Sequence, residues 1–243
     1  MPEYFQFDCN NYSPARYSTL SVLESFRQDN VVHLELRTTP RAIPDQGITK
    51  TQYVETILAC IEEHNARPLN TMHTGLILSV DRRNSLVEAE EVIGLALSFQ
   101  SRGVIGIDLC GDPMKGDVRI FSGVFAKAKA AGMKITVHFA EAAASSTDTE
   151  LWTLLNWYPD RIGHVIHVKE EIRKRIVEQK IGTDDVGVFC SPLSEEYYLA
   201  ITHFNLSRED VKELCEGVVD IIFASDEEKS RLRKLYASWD GWK

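Results

Sequence analysis

What most constrains this chain is a recurring unit: a short, nearly continuous apolar run, a turn, then a segment with helical spacing. The runs are Val31 to Leu36, Leu76 to Val80, Val104 to Leu109, Lys134 to Phe139 and Arg161 to Ile166. They are rich in Val, Ile and Leu and do not alternate with polar residues, as expected of strands buried on both faces. Their midpoints lie roughly 30 residues apart after a first interval of about 44, the length of a βα unit. Between them, Thr49-x-x-Gln52 has the form of a capping box ahead of Tyr53, Ile57 and Ile61. Val87 to Phe99 and Phe121 to Ala131 have the same periodicity, and Gly132 is placed to stop the second. Ser18 to Phe26 also reads as helix, and Lys169 to Lys180 as a charged helix with Ile172 and Ile176 inward. The C-terminal part reads as all-helical. Ser207-x-x-Asp210 opens a stripe of Val211, Leu214, Val218 and Ile221, and Ser225-x-x-Glu228 opens another helix. Alternating β and α with right-handed crossovers predicts a parallel α/β fold. A doubly wound sheet and a (β/α)8 barrel both satisfy the pattern, although five runs fall short of the eight a barrel needs.

Composition narrows the function classes. With 44% apolar and 26% charged residues among 243, the whole chain is neither disordered nor fibrous. A net charge of −9 and a pI near 5.3 argue against a nucleic-acid backbone or an anionic membrane as partner. A small anionic ligand remains compatible, because one Arg can hold a phosphate inside an acidic protein. No stretch reaches the length of an apolar membrane span, and the first twenty residues lack the apolar core of a secretory signal. The cysteines (Cys9, Cys60, Cys110, Cys190, Cys215) are scattered and never in CxxC spacing. A reducing, cytoplasmic setting without a disulfide framework is the expectation. One domain over residues 1–243 is expected, with 1–15 irregular.

In parallel α/β folds, chemistry collects where strands end and loops begin. Those edges are unusually polar here: Glu35-Leu-Arg37-Thr38-Thr39-Pro40-Arg41, Val80-Asp81-Arg82-Arg83, Asp108-Leu-Cys110-Gly111-Asp112, His138-Phe-Ala-Glu141 and Arg161-Ile-Gly163-His164, followed later by Thr183-Asp184-Asp185. Each alone has an ordinary structural reading. His138 and His164 could be core histidines, Glu141 could open a helix, and Asp184 with Asp185 could cap one. Arg41 and Arg82 could form surface ion pairs. Together they have a chemical logic. Histidine nitrogens and a carboxylate can hold Zn²⁺, which lowers the pKa of bound water toward 7 and so supplies a hydroxide for attack on an electron-poor carbon.

The segments LELRTTPR, LILSVDRR, GIDLCGDP, VHFAE, DRIGH, TDDVGVF and FNLSREDVKEL with IIFASDEEKSRLRK resemble the adenosine deaminase superfamily. They are most similar to its adenosine deaminase-like branch, which acts on N6-methyl-AMP and related N6-substituted purine monophosphates. The resemblance covers roughly residues 15–238. It implies a TIM barrel with one catalytic Zn²⁺, a purine nucleoside monophosphate as partner, and hydrolytic release of an amine to give IMP. Carried over motif by motif, His138 and Asp184 correspond to zinc ligands. Glu141 corresponds to the proton donor to purine N1, and His164 to the residue that orients the attacking water. Asp185 corresponds to the substrate-contacting neighbour of Asp184 and is placed with Glu141 and His164 among the catalytic residues. Gly111 matches the glycine whose backbone approaches the purine. Thr38, Thr39, Pro40, Arg41 and Asp81 match nucleotide-contacting positions, with Arg41 the expected phosphate ligand.

The chain departs from that family in two places. The family's first strand carries His-x-His, two zinc ligands, and this sequence contains no His-x-His. The helix expected over Lys169 to Lys180 then runs directly into Ile181-Gly182-Thr183-Asp184, where the family has further strand. The expectation is therefore an incomplete barrel, with the first and seventh strands missing and the eighth reduced. Only His138 and Asp184 are candidate ligands, where a catalytic zinc site needs three or more. A second expectation stands beside the enzymatic one: a non-catalytic variant that binds purine nucleotide weakly, or binds a partner protein.

Overall fold

The computed structural model of the chain describes residues 14–178 and 193–238. Asp184, Asp185 and the join at Ile181 therefore lie outside the described residues, as do 1–13 of the N-terminal stretch expected to be irregular. Pro14 and Ala15 already belong to a helix.

The chain divides into two compact units, one up to Leu34 and Pro40–Thr74, the other Glu35–Thr39 with Gly75 onward. In the first, helix α1 (Pro14–Gln28) packs on α2 (Lys50–Asn65). Leu23 of α1 and Val54, Leu58 and Ile61 of α2 are buried. Arg16 of α1 reaches across to Glu63 of α2 at 2.7 Å. The start of α2 is fixed by a reciprocal capping box, Thr49 with Gln52.

Five strands form one sheet in the order β1 (His33–Thr38), β2 (His73–Asp81), β3 (Val104–Cys110), β4 (Lys134–Phe139) and β5 (Arg161–His164). The pairs from β2 through β5 are parallel. All five runs expected from sequence contain strands; near-continuous Val, Ile and Leu in β2 to β5 suits a covered sheet, while β1 is half-buried along its length. Between β2 and β3 lies α3 (Leu86–Ser98), opened by a second capping box, Ser85 with Glu88. Between β3 and β4 lies α4 (Ser122–Ala130), and α5 (Asp148–Leu155) precedes β5. Helix α3 lies on β3 and α4 on β4. Leu76, Leu78, Ile107, Leu109, Ile135, Val137, Ile93 and Phe125 are fully buried among them.

The described C-terminal part is helical, as expected: α6 (Glu170–Glu178), α7 (Leu193–Phe204), α8 (Arg208–Ile221) and α9 (Asp226–Ser238). Ser207 and Asp210 form the capping box that opens α8. The residues just after α8 turn inward. Phe223 is buried, its ring lies 4.3 Å beneath the Arg161 guanidinium, and its backbone N–H donates to Glu35. Arg161 in turn pairs with Glu35 at 2.6 Å. Gly106 of β3 makes room for this plug, since a Cβ there would come within 2.8 Å of the Phe223 ring.

Candidate active-site rim

Each strand of the second unit brings one polar side chain to a common layer. Asp108 of β3 is its centre and is fully buried. Ser79 of β2, paired in register with Asp108, donates its hydroxyl to Oδ2 at 3.0 Å. Arg37 of β1 lies 3.7 Å from the same oxygen. His138 of β4 places Nδ1 3.2 Å from Oδ1 and 2.8 Å from the Leu109 carbonyl. Burial pushes the Asp108 carboxyl up. The contacts of His138, Arg37 and Ser79 outweigh that and hold it below its ordinary value. In the neutral ring, the two acceptors at Nδ1 favour a proton there, the tautomer a metal-ligating histidine uses when it binds through Nε2.

His164 ends β5 next to His138. Their ring centroids are 5.1 Å apart, and His164 Nε2 lies 3.9 Å from Glu141. The strand stops here because His164 and Val165 both adopt positive φ, 63° and 56°. The Val165 N–H then bonds back to Phe139 O at 2.9 Å. Glu141 does not open an α-helix. Only a short 3-10 turn at Ala143–Ser145 follows it, so a helix-capping role does not describe this carboxylate.

A second cluster forms where β2 and β3 end. Asp81 and Gly111 are in direct contact, since a Cβ on Gly111 would lie 2.5 Å from Asp81 Oδ1. Gly111 has φ +105°, which favours glycine on backbone grounds as well. Arg83 clamps the Asp81 carboxylate, with Nε at 2.8 Å and a terminal nitrogen at 2.5 Å. Those bonds hold Asp81 below the ordinary carboxylate range despite its burial. Thr39 sits against the Cys110 sulfur at 3.5 Å. Arg82 is not a surface residue: it is buried and bonded to Glu150 of α5 at 2.7 Å and to the Lys115 carbonyl.

The structure thus brings together His138, His164 and Glu141 in one group, and Asp81 with Gly111 in another. Thr38 closes β1 and Thr39 follows it. Pro40 and Arg41 fall in the first compact unit, where Pro40 is buried and Arg41 exposed. Arg37, Arg83 and Asp108 stood among the polar strand edges in sequence but were given no role there, and Ser79 was not named. The signal available for Asp108 was an acid in the middle of an otherwise apolar strand. For a zinc centre, His138 is suitable in donor type and anchoring. Among the described residues, however, no three His, Cys, Asp or Glu side chains are grouped to hold a metal ion. The described residues by themselves do not fit the three-ligand requirement.

An α/β sheet with two histidines and a carboxylate at the carboxyl ends of adjacent strands defines the class, a hydrolase-type barrel relative whose loops carry the chemistry. Comparisons make it particular. Residues 15–178 match the adenosine deaminase family. The chain is 32% identical to the N6-methyl-AMP deaminase of Danio rerio, over 89% of this chain and 74% of that protein. It is 33% identical to the human enzyme of the same name, over 90% and 73%. A crystal structure of Arabidopsis ADAL complexed with IMP superposes with a TM-score of 0.85 at 29% identity, covering 92% of this chain and 77% of that one. The chain belongs to the adenosine deaminase family, and its sheet is an incomplete turn of that TIM barrel. The alignment with the Danio rerio protein runs over 261 positions yet uses 89% of 243 residues, so it crosses stretches with no counterpart here.

Proposed function

We propose that this chain is an aminohydrolase of N6-substituted purine nucleoside monophosphates, with N6-methyl-AMP as the first substrate to test. The observation that carries this reading is the convergence of His138, His164 and Glu141, with His138 held through Nδ1. In the reaction, a water oxygen bonds to purine C6 and the C6–N6 bond breaks. Methylamine leaves with a proton, and IMP remains. Glu141 gives a proton to N1, and His164 orients the water. Thr38, Thr39, Pro40, Arg41, Asp81, Gly111 and Asp185 contact the nucleotide, Arg41 at the phosphate. A bound Zn²⁺, with His138 and Asp184 among its ligands, would supply an activated hydroxide. No step here is assigned to it, because the described residues bring only His138 to such a centre.

The test is amine release from N6-methyl-AMP together with zinc per chain. Glu141→Gln is expected to cut turnover by about 10²- to 10⁴-fold. Full activity in that variant would overturn the assignment. The two-ligand count favours a second reading, nucleotide binding without turnover. Bound IMP with no zinc and no amine release would select it, as opposed to an enzyme or a partner-binding protein.

A further inference from the structure

We infer that Arg82 is a positioning residue, a buried strut that sets the spacing of Gly111 and Glu141 around the purine. The inference rests on the reading above that both residues meet the base, and adds what fixes their spacing. Arg82 directly follows β2. Its backbone N–H donates to the Cys110 carbonyl at 2.8 Å, so it starts from the register of β2 with β3. Its guanidinium then reaches two further segments. Nε donates to the Lys115 carbonyl at 3.1 Å, in the loop after β3, and a terminal nitrogen donates to Glu150 of α5 at 2.7 Å. The side chains of Arg82 and Glu150 are only 4% and 14% exposed.

Short closed turns connect both contacts to the residues assigned to the base. On one side, the Lys115 N–H donates to the Asp112 carbonyl and the Met114 N–H to Asp112 Oδ1, both at 2.9 Å, and Asp112 follows Gly111. Gly116 packs this loop onto Arg82, since a Cβ there would come within 2.0 Å of the Arg82 carbonyl oxygen. On the other side, Ala142 follows Glu141. Its carbonyl accepts from the hydroxyls of Ser145 and Ser146 at 3.0 and 2.7 Å. Thr147 then caps α5, accepting from the Glu150 N–H at 3.3 Å. Local hydrogen bonds thus close the chain between Ala142 and Glu150, which leaves little slack to absorb a shift of α5.

The chemistry of the strut suits this task. A buried ion pair gains little net stability, because desolvation offsets the attraction. What it supplies is direction. A planar guanidinium donates from two nitrogens in a rigid fork, so one side chain holds two loops at once, and an ammonium has no such fork. The group that needs the direction is Glu141. Its carboxylate can accept the N1 hydrogen of IMP, and a hydrogen bond weakens steeply once its angle departs from linear.

The experiment is calorimetric titration of the 243-residue chain with IMP. The proteins are wild type, Glu150→Gln, Arg82→Lys and a double variant, Arg82→Met with Glu150→Met, each with and without Glu141→Ala. The double variant exchanges the pair for apolar side chains, so neither charge is left buried and alone. In wild type, Glu141→Ala is expected to weaken IMP binding about tenfold, the worth of one hydrogen bond to a charged acceptor. Glu150→Gln keeps an acceptor for Arg82 and should keep that factor. In Arg82→Lys and in the double variant the factor should fall toward one, because Glu141 no longer meets the ring squarely. A factor still near ten in those variants overturns the inference. That holds even if they bind IMP more weakly, which is what a merely structural role predicts. Wild type that binds IMP with no loss on Glu141→Ala overturns the placement of Glu141 at the ring. Wild type that binds no IMP overturns the nucleotide reading itself, and either result takes the inference with it.

Discussion

At the residue scale, two buried polar side chains show how context decides behaviour. Asp108 is fully buried and surrounded by Ser79, Arg37 and His138, so it stays ionised in the middle of a sheet. His64 of α2 is just as inaccessible, but neither ring nitrogen has a hydrogen-bond partner among the described residues. Burial, with Arg67 nearby, therefore pushes its pKa below the ordinary 6.5. The folded chain keeps His64 neutral, whereas the unfolded chain protonates it near 6.5. The stability this difference contributes is present above 6.5 and is lost as pH falls through the lower folded value. The urea midpoint of wild type is expected to drop between about pH 7.5 and about pH 5.5, and His64→Leu to flatten that drop. An equal slope in both proteins would show that another group titrates.

At the scale of elements, ties between neighbouring segments matter more than single strands. Asp160, just before β5, accepts from Lys129 of α4 at 2.7 Å, Lys134 of β4 at 3.0 Å and the Ile135 N–H at 3.0 Å. Burial raises its carboxyl pKa, but these three donors outweigh burial and set it below the ordinary 3.8. Its contribution is thus complete above 3.8 and lost as pH falls through the lower folded value. Asp160→Ala is expected to cost about 1–3 kcal/mol at neutral pH. The gap from wild type should close in acid, as read from denaturant midpoints at several pH values. The Phe223 plug is the apolar counterpart. It is buried against Gly106 and Arg161, and Phe223→Ala is expected to cost about 3 kcal/mol. An unaltered thermal midpoint would show that the ring is not part of the core.

For the molecule as a whole, the C-terminal helices leave apolar surface uncovered. Tyr198 and Phe204 of α7 are 65% and 76% exposed, and Leu214 and Val218 of α8 are 48% and 41% exposed. Leu214 and Val218 belong to the apolar stripe that α8 shows in sequence, a pattern that usually marks a buried face. Here only Val219 of that helix is fully covered. Apolar surface of this kind drives association. Phe204→Glu and Leu214→Glu are expected to raise the concentration at which the chain stays monodisperse in light scattering. No helix among the described residues is long and apolar enough to cross a membrane.

The sequence by itself determined the elements. Strands β2 to β5 were readable because their runs of Val, Ile and Leu are buried, whereas β1 is half-buried along its whole length. The starts of α2 and α8 were readable because a capping box is a local device, closed within four residues. The motif VHFAE with DRIGH was equally local, which is why His138, Glu141 and His164 could be named from it. Only the tertiary structure decided what those residues touch. Asp108 lies thirty positions before His138, and Arg37 far earlier still, yet strand order and register place them in one layer. Arg82 was open to a surface reading until the fold buried it on Glu150, and Gly111 meets Asp81 only because β3 pairs with β2. Periodicity and caps are set by neighbours in the chain. Buried ion pairs and close backbone approaches are set by neighbours in space, which no spacing along one sequence records.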